Sequence, residues 1–452
     1  MLEEILTLLE KKDFVKLRST LSELNAPDIA AMLEELPKEQ VLLLFRFLPK
    51  ELAADTFVEM EPDTQAHLIK AFTDKELHDV LDEMFLDDTV DIIEEMPANV
   101  VKRIIRQSDP DMRSEINKVL KYPKDSAGSI MTIEYVDLKT EMTVEQAFAR
   151  IRATGVDKET IYTCYVTDAN RHLLGFTTVK ELLLSENGTK IGDMMETNVI
   201  YVDTYEDKEE VANLFGKYDF LAMPVVDRET RLVGIITFDD VIDVIQDENT
   251  EDIEKMAALI PSEKPYLKTS VFETYKKRIP WLMLLMISAT FTGKIIASFE
   301  KTLAACVALT AFIPMLMDTG GNSGSQSSVT IIRSLSLGDI SIKDIFRILR
   351  KELAVAFLCG ISLAAVNFVK MLIIDSGTIT ASGQNAAAVA LVVSLTLIVT
   401  IVCAKLVGCS LPILAKKIGF DPAVMASPFI TTIVDAISLV IYFQIAIHML
   451  KF

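Results

Sequence analysis

Between residues 24 and about 105 the chain alternates short amphipathic stretches with a recurring break. Apolar residues fall at i, i+3, i+4 spacing, as in Val41, Leu44, Phe45 and Leu48. A proline or aspartate returns about every dozen positions, at Leu36-Pro37, Leu48-Pro49, Glu61-Pro62, Thr73-Asp74, Leu86-Asp87 and Met96-Pro97. Proline suits the first turn of a helix, where its missing N–H costs nothing. The spacing predicts short helices over residues 1–122, none able to bury its apolar stripe alone, stacked into a superhelix.

The pattern changes after the breaker-rich stretch YPKDSAGSIM (Tyr122–Met131). Two copies of one unit fill residues 123–245. The first holds Ile161–Asp168 and His172–Leu182, the second Met223–Asp227 and Arg231–Val241; Gly175 and Gly234, like Thr178 and Thr237, are 59 residues apart. Each copy predicts helix, strand, turn, strand with a central glycine, then helix. The arrangement resembles a tandem pair of CBS domains, a regulatory α/β module that usually senses adenosyl ligands or metals. In that family's nucleotide-binding pattern an Asp follows the Thr by two positions. Asp239 fits it in the second copy and Lys180 breaks it in the first, so the resemblance leaves room for a nucleotide such as ATP in one half only.

A polar helix is expected from about Asp243 to Lys264, within a connecting (plug) segment over 246–275. The basic and aromatic run Tyr275–Trp281 then marks entry to a bilayer. Crossing hydrocarbon takes ~20 apolar residues, and residues 276–452 contain five such runs, about 280–299, 303–332, 352–374, 386–414 and 424–449. Basic residues cluster before the first run (Lys276, Lys277, Arg278), between the second and third (Arg333, Lys343, Arg347, Arg350, Lys351) and between the fourth and fifth (Lys416, Lys417). The alternate loops hold fewer, near Lys301 and Lys370. The bias places the N-terminus in the cytosol and the C-terminus outside.

Composition explains why two environments are needed. Half the residues are hydrophobic, yet 24% are charged and the net charge is −20; no single solvent suits both. Residues 1–278 carry most of the charge and 281–452 the apolar runs. An acidic balance speaks against nucleic acid and anionic lipid as partners and favours cations, although an acidic surface also simply keeps a domain soluble. The N-terminal MLEEILTLLEKKDF is acidic and amphipathic, unlike a signal peptide. Five cysteines, four of them in apolar sequence and none in CxxC, read as small buried residues. The four histidines are scattered, and no nucleophile–base pair or Walker-type GxxxxGK[ST] appears. An enzyme is not indicated.

Two stretches in the apolar half carry chemistry. The second run is interrupted by Asp318 and TGGNSGSQS (Thr319–Ser327). Gly320 and Gly324 form GxxxG, which lets helices approach closely, but packing does not account for Asp318, Asn322, Gln326 and the serines together. Polar, broken backbone at membrane depth is tolerated where it lines a cavity. The fifth run, DPAVMASPFITTIVD (Asp421–Asp435), places Asp435 among apolar residues with no base within a helical turn. A carboxylate there costs at least ~2.5 kcal/mol and marks a functional site by default, the alternative being a protonated or partnered structural acid.

On these two motifs and the domain order around them, the chain is identified as resembling the MgtE family of magnesium channels from end to end. The resemblance implies a plasma-membrane homodimer with one pore at the two-fold axis, formed largely by spans two and five, in which Asp435 is the pore ion site. Asp318, Asn322, Gln326, Ser427 and Thr431 are the pore-lining candidates. Passive Mg²⁺ uptake would be closed by cytosolic Mg²⁺ on carboxylates matching the family's regulatory sites. These are Asp87, Asp88 and Asp91 in the N domain, Asp219, Asp239, Asp240 and Asp243 in the CBS pair, Glu248, Glu251 and Asp252 on the connecting helix, and Asp421. Each alone reads as a solvated surface acid; clustering at domain joints is what singles them out. Moving a gate from 1:99 to 99:1 takes about 5.5 kcal/mol, more than one site supplies at about 1.4 kcal/mol per tenfold excess of ligand.

Three positions depart from the family pattern: Asp318 where glycine is usual, Ser325 where asparagine is usual, and Lys405 inside the fourth run. That lysine is expected to snorkel, pair with an acid, or raise the local positive charge. The rival readings are a non-transporting membrane receptor or scaffold whose CBS pair senses nucleotide, and a CBS-gated anion channel, which the acidic candidates oppose.

Overall fold

The computed structural model describes residues 2–262, 266–381, 383–425 and 427–450. The chain separates into two compact units, Met1–Ile245 and Gln246–Phe452.

The first unit opens with the helices α1 (Leu2–Glu10), α2 (Phe14–Ser22), α3 (Ala26–Glu34), α4 (Lys38–Phe45), α5 (Lys50–Val58), α6 (Pro62–Ala71), α7 (Asp74–Leu81), α8 (Leu86–Glu95), α9 (Ala98–Gln107) and α10 (Pro110–Val119). The sequence punctuation marks where they start. Pro37, Pro49 and Pro97 stand at N-cap positions and Pro62 opens α6. Thr73 closes a reciprocal capping box with Glu76. From α3 onward each odd-numbered helix packs on the next odd one, as do α4 with α6 and α8 with α10. Leu33, Leu44, Phe57, Leu68, Leu77 and Ile104 are buried in the resulting core, so the stripes cover one another as a solenoid requires.

Two three-stranded sheets follow. The first comprises β1 (Val136–Leu138), β2 (Thr163–Thr167) and β3 (Leu173–Thr178), with α11 (Val144–Thr154) and α12 (Val179–Leu184). After the short α13 (Ile191–Met194), the second repeats it with β4 (Val202–Asp203), α14 (Lys208–Tyr218), β5 (Ala222–Val226), β6 (Leu232–Thr237) and α15 (Phe238–Met256). In both, the first strand runs parallel and the third antiparallel to the second. The repeated glycines explain themselves. A Cβ on Gly175 would lie 2.7 Å from the Glu196 carbonyl and 2.9 Å from Met195 Sδ; on Gly234 it would lie 2.7 Å from the Thr132 carbonyl and 2.8 Å from Met131 Sδ. Each copy's glycine thus admits the lead-in strand of the other.

The polar helix expected over Asp243–Lys264 instead grows directly out of β6 at Phe238 and ends at Met256, just before Ala258 turns left-handed at φ 55°. Lys264 lies outside the described residues.

In the second unit, four helical runs among the described residues are long and apolar enough to cross a bilayer: Val271–Ser298, Ile342–Ala381, Ala386–Lys417 and Pro422–Leu450. They contain α16 (Val271–Ser298), α19 (Ile345–Lys370) joined by a π-helical turn to α20 (Ser376–Ala381), α21 (Ala386–Lys417) and α22 (Ser427–Leu450). The expected second span differs. Residues 303–332 divide into α17 (Glu300–Ala305), a 3-10 segment Val307–Phe312, and α18 (Ile313–Ser336). At 24 residues α18 has the length to cross, but its polar run leaves it short of the apolar composition of the other four.

The break therefore precedes the polar run, and the polar run itself is unbroken helix. Gly and Ser are poor helix formers, but packing holds them in place. A Cβ on Gly408 of α21 would overlap the Gly324 carbonyl of α18, and one on Gly324 would lie 2.8 Å from Ile430 of α22. The buried α21 forms the centre, with α18, α19 and α22 packed on it.

Gly408→Ala is expected to push α18 off α21 and cost about 1–3 kcal/mol, as overpacking does. Thermal unfolding of the detergent-solubilised protein would show it. Gly293→Ala, on an open face of α16, is the control and should leave the midpoint unchanged or slightly raised.

Candidate functional site

The polar run of α18 sorts its residues by face. Gly320, Gly321 and Gly324 are buried: a Cβ at Gly320 would meet Thr400, Val434 and Ser438, and one at Gly321 would meet Thr431. Asp318, Asn322 and Gln326, spaced four apart, share another face of the helix and all three are exposed. The GxxxG pair packs helices and the polar side chains do not; one run does both. Ser325 lies between these faces, half-buried.

Asp435 stands on α22, half-buried. Its Oδ1 is buried and has no hydrogen-bond partner, and Asp318 is the charge that acts on it. A buried carboxylate oxygen without a donor is costly, and a bound cation or its water would relieve it. Thr431 faces Gly321 through its methyl, and its hydroxyl donates to the Pro428 carbonyl at 2.9 Å. Ser427 opens α22, and its side chain lies outside the described residues. The structure therefore brings together Asp435 and Asp318, extends the polar face through Asn322 and Gln326, and commits Thr431 to packing.

Lys405 is paired. Its Nζ lies 3.2 Å from Ser327 Oγ and 3.8 Å from Glu352 Oε2 of α19. Glu352 follows the basic run before the third span in sequence, where nothing marked it as a partner.

In the first unit, five acids of the sequence prediction meet at one joint. Asp87, Asp88 and Asp91 lie in the first turns of α8, and Asp239 and Asp240 in the first turn of α15. Asp87 is buried, 5% exposed, and its Oδ1 accepts from the Asp88 N–H at 3.0 Å. Burial, then repulsion from Asp240, pushes the Asp87 carboxyl well above the usual carboxylate range. The same causes raise Asp88 to about 7. Asp91, exposed, is within electrostatic reach of Asp240 and Asp88. Burial raises Asp240 as well, against a hydrogen bond from Thr237 Oγ1 at 2.6 Å. Glu159, in the loop before β2, joins them: burial, Asp239 and Asp88 raise it to about 8. No pattern in the sequence marked it. Asp243 adds to the repulsion at Asp240. Asp219 instead closes α14 in the left-handed conformation, φ 55°, ψ 42°.

In the second unit, Glu248, Glu251 and Asp252 lie on the last turns of α15. Here a lysine is already present. Lys255 Nζ lies 2.5 Å from Asp421 Oδ2 and also pairs with Glu251. Burial works against its charge, but the bonds to Asp421 and Glu251 outweigh that and hold its pKa above the normal value. Asp421 Oδ1 accepts from the Ala423 N–H at 2.7 Å. Asp252 accepts from Ser336 Oγ at 3.0 Å, and Arg333 donates to Asn249 at 2.8 Å. Among the described residues no group of three or more His, Cys, Asp or Glu side chains is arranged to hold a metal ion; the acids are gathered, with their oxygens not yet converged.

Apolar helices able to cross a bilayer, together with a pair of CBS-like α/β units, define a multi-pass membrane protein. Family models agree in detail: a divalent cation transporter domain matches residues 313–445, an MgtE intracellular N domain 24–125, and a CBS domain 191–247, the second copy. The chain is 36% identical over 442 residues to the magnesium transporter MgtE of Thermus thermophilus, spanning 97% of this chain and 96% of that protein. It is 32% identical over 446 residues to the Bacillus subtilis protein of the same name, spanning 98% and 96%. The solved cytosolic domain of the Mg²⁺ channel MgtE in complex with ATP superposes with a TM-score of 0.52 at 36% identity, over 54% of this chain and all of that one. The chain belongs to the MgtE family.

The raised carboxyls give the soluble half a defined pH response. They hold protons more tightly folded than unfolded, so their stabilising contribution is present below pH ~4 and is lost as pH rises through about 7 to 8. The unfolding midpoint of residues 1–262 should fall between pH 5.5 and 8.5. Asp88→Asn should flatten the fall and raise the midpoint at pH 8 by a few degrees. A pH-independent midpoint in the wild-type fragment would refute the assignment.

Proposed function

We propose that the chain forms a homodimeric Mg²⁺ channel of the plasma membrane, open to passive uptake and closed by cytosolic Mg²⁺. The observation that carries this reading is the face of α18 bearing Asp318, Asn322 and Gln326. It is exposed, polar, and set in a unit of membrane-spanning helices beside the unpartnered oxygen of Asp435. Such a face is unstable against hydrocarbon. A second copy related by a two-fold axis would enclose it with water and bring two Asp435 carboxylates toward one ion. In this arrangement α18 crosses the membrane as a fifth span, with the N-terminus and the CBS pair cytosolic and the C-terminus outside.

Mg²⁺ suits few carboxylates with much retained water, because it dehydrates reluctantly. For a divalent ion the membrane field supplies about 4.6 kcal/mol per 100 mV, so uptake needs no hydrolysis step. The relatives' name, magnesium transporter, supports the cargo.

Regulation is read from the acidic joints. Asp87, Asp88, Asp91, Asp239 and Asp240 repel without a counter-ion, and a divalent ion would stabilise their approach. Glu251, Asp252 and Asp421 would do the same at the end of α15. Asp219, Asp243 and Glu248 complete the proposed set, and residues 246–275 act as the plug. The ATP in the related cytosolic domain supports a nucleotide in the second CBS copy, where exposed Asp239 follows Thr237 by two positions. A non-transporting CBS receptor would leave the α18 face without a purpose.

Asp435→Ala is expected to reduce Mg²⁺ flux into proteoliposomes to near background with dimerisation unchanged. Asp435→Asn should be nearly as damaging, since charge attracts the ion. Wild-type flux from either variant would remove Asp435 from the path. Deleting residues 1–122 should leave a conducting channel whose inhibition by cytosolic Mg²⁺ is shifted to higher concentration and less steep. Patch-clamp titration from the cytosolic face decides, and an unchanged curve would exclude the N domain as a sensor.

A further inference from the structure

Lys405 is 5% exposed inside the membrane half. Its ammonium donates to Ser327 Oγ at 3.2 Å, and Ser327 donates in turn to Glu352 Oε2 at 2.5 Å, 3.8 Å from the same ammonium. One node thus joins α21, α18 and α19. It lies close to the Gly324–Gly408 crossing, because Ser327 is three residues beyond Gly324 and Lys405 three before Gly408. Ser327 also directly follows Gln326, whose exposed side chain belongs to the polar face. The node and that face occupy two sides of one helix, about 10 Å across. At that distance, in a poorly screened interior, a full charge on one side is felt on the other.

We propose that Lys405 and Glu352 set the electrostatic level of the cation path. Glu352 cancels an ammonium that would otherwise repel divalent ions from Asn322, Gln326 and Asp435. Lys405 in turn keeps Glu352 from acting as a second cation site, so the path retains Asp435 as its dominant buried acid. The pair is a specificity-determining element that touches no ion itself. It rests on the reading that cations pass along the α18 face.

A purely structural pair and an electrostatic one predict different signs. Removing either partner of a structural pair damages the protein in the same direction. In the electrostatic case, Glu352→Gln leaves the bundle one charge more positive and should cut Mg²⁺ uptake roughly tenfold, with a smaller effect on K⁺. Lys405→Met leaves it one charge more negative and should raise Mg²⁺ uptake several-fold while weakening discrimination against other divalent ions. The double variant should return to within about twofold of wild type.

Flux into proteoliposomes, with Mg²⁺, Mn²⁺ and K⁺ measured side by side, reads all three. Where a single variant does not fold, the exchange of both charges, Glu352→Lys with Lys405→Glu, keeps the bundle neutral and should restore flux. Single variants that both lose Mg²⁺ flux alike, or that both leave it unchanged, would overturn the proposal, as would a charge exchange that folds without flux. A wild type without Mg²⁺ flux would instead refute the transport reading on which it rests.

Discussion

The Gly324 carbonyl of α18 and the backbone at Gly408 of α21 pass so closely that no side chain fits between them, and this contact fixes the rotation of α18 about its own axis. Once the glycine face is committed to α21 and α22, the residues four apart at 318, 322 and 326 must emerge on another side. A helix of Gly and Ser would be unstable in isolation. Here the small residues gain close packing against two neighbours, and the polar side chains are left where they can meet water. The orphaned oxygen of Asp435 borders the same packing, since Val434 and Ser438, its neighbours on α22, close on Gly320.

The soluble unit obeys a different constraint. Its helices and sheets bury a continuous apolar core, yet α8 and α15 meet through a set of like charges held partly out of water. Burial and mutual repulsion both favour the neutral forms, so the joint is poised to gain from any added cation. The arrangement sacrifices some stability at neutral pH.

Local features of the chain were legible before its contacts. Prolines 37, 49, 62 and 97 announced helix starts because their geometry is a property of one residue and its neighbours. The offset shared by Gly175 and Gly234 announced a repeated unit for the same reason. The i, i+4 spacing of Asp318, Asn322 and Gln326 was also present to be read, but the glycines and serines beside them suggested broken backbone. Only Gly408, 84 positions further along the chain, shows why the helix continues. Glu352 and Glu159 went unmarked because their significance lies in long-range contacts. Ser327, for example, meets Glu352 and Lys405 across 25 and 78 positions. A helix emerging directly from a strand has no breaker to mark its start, and α15 begins at Phe238, not at the expected Asp243.

Lys255 gives the joint at Asp421 a property that none of its carboxylates has. An ammonium tethered one turn from Glu251 and beside Asp421 is a competitor of fixed local concentration, set by its tether and not by the cytosol. A free divalent ion claiming these oxygens must therefore displace a resident that never dilutes. In the proposed channel, cytosolic magnesium would have to compete with this lysine for the same oxygens.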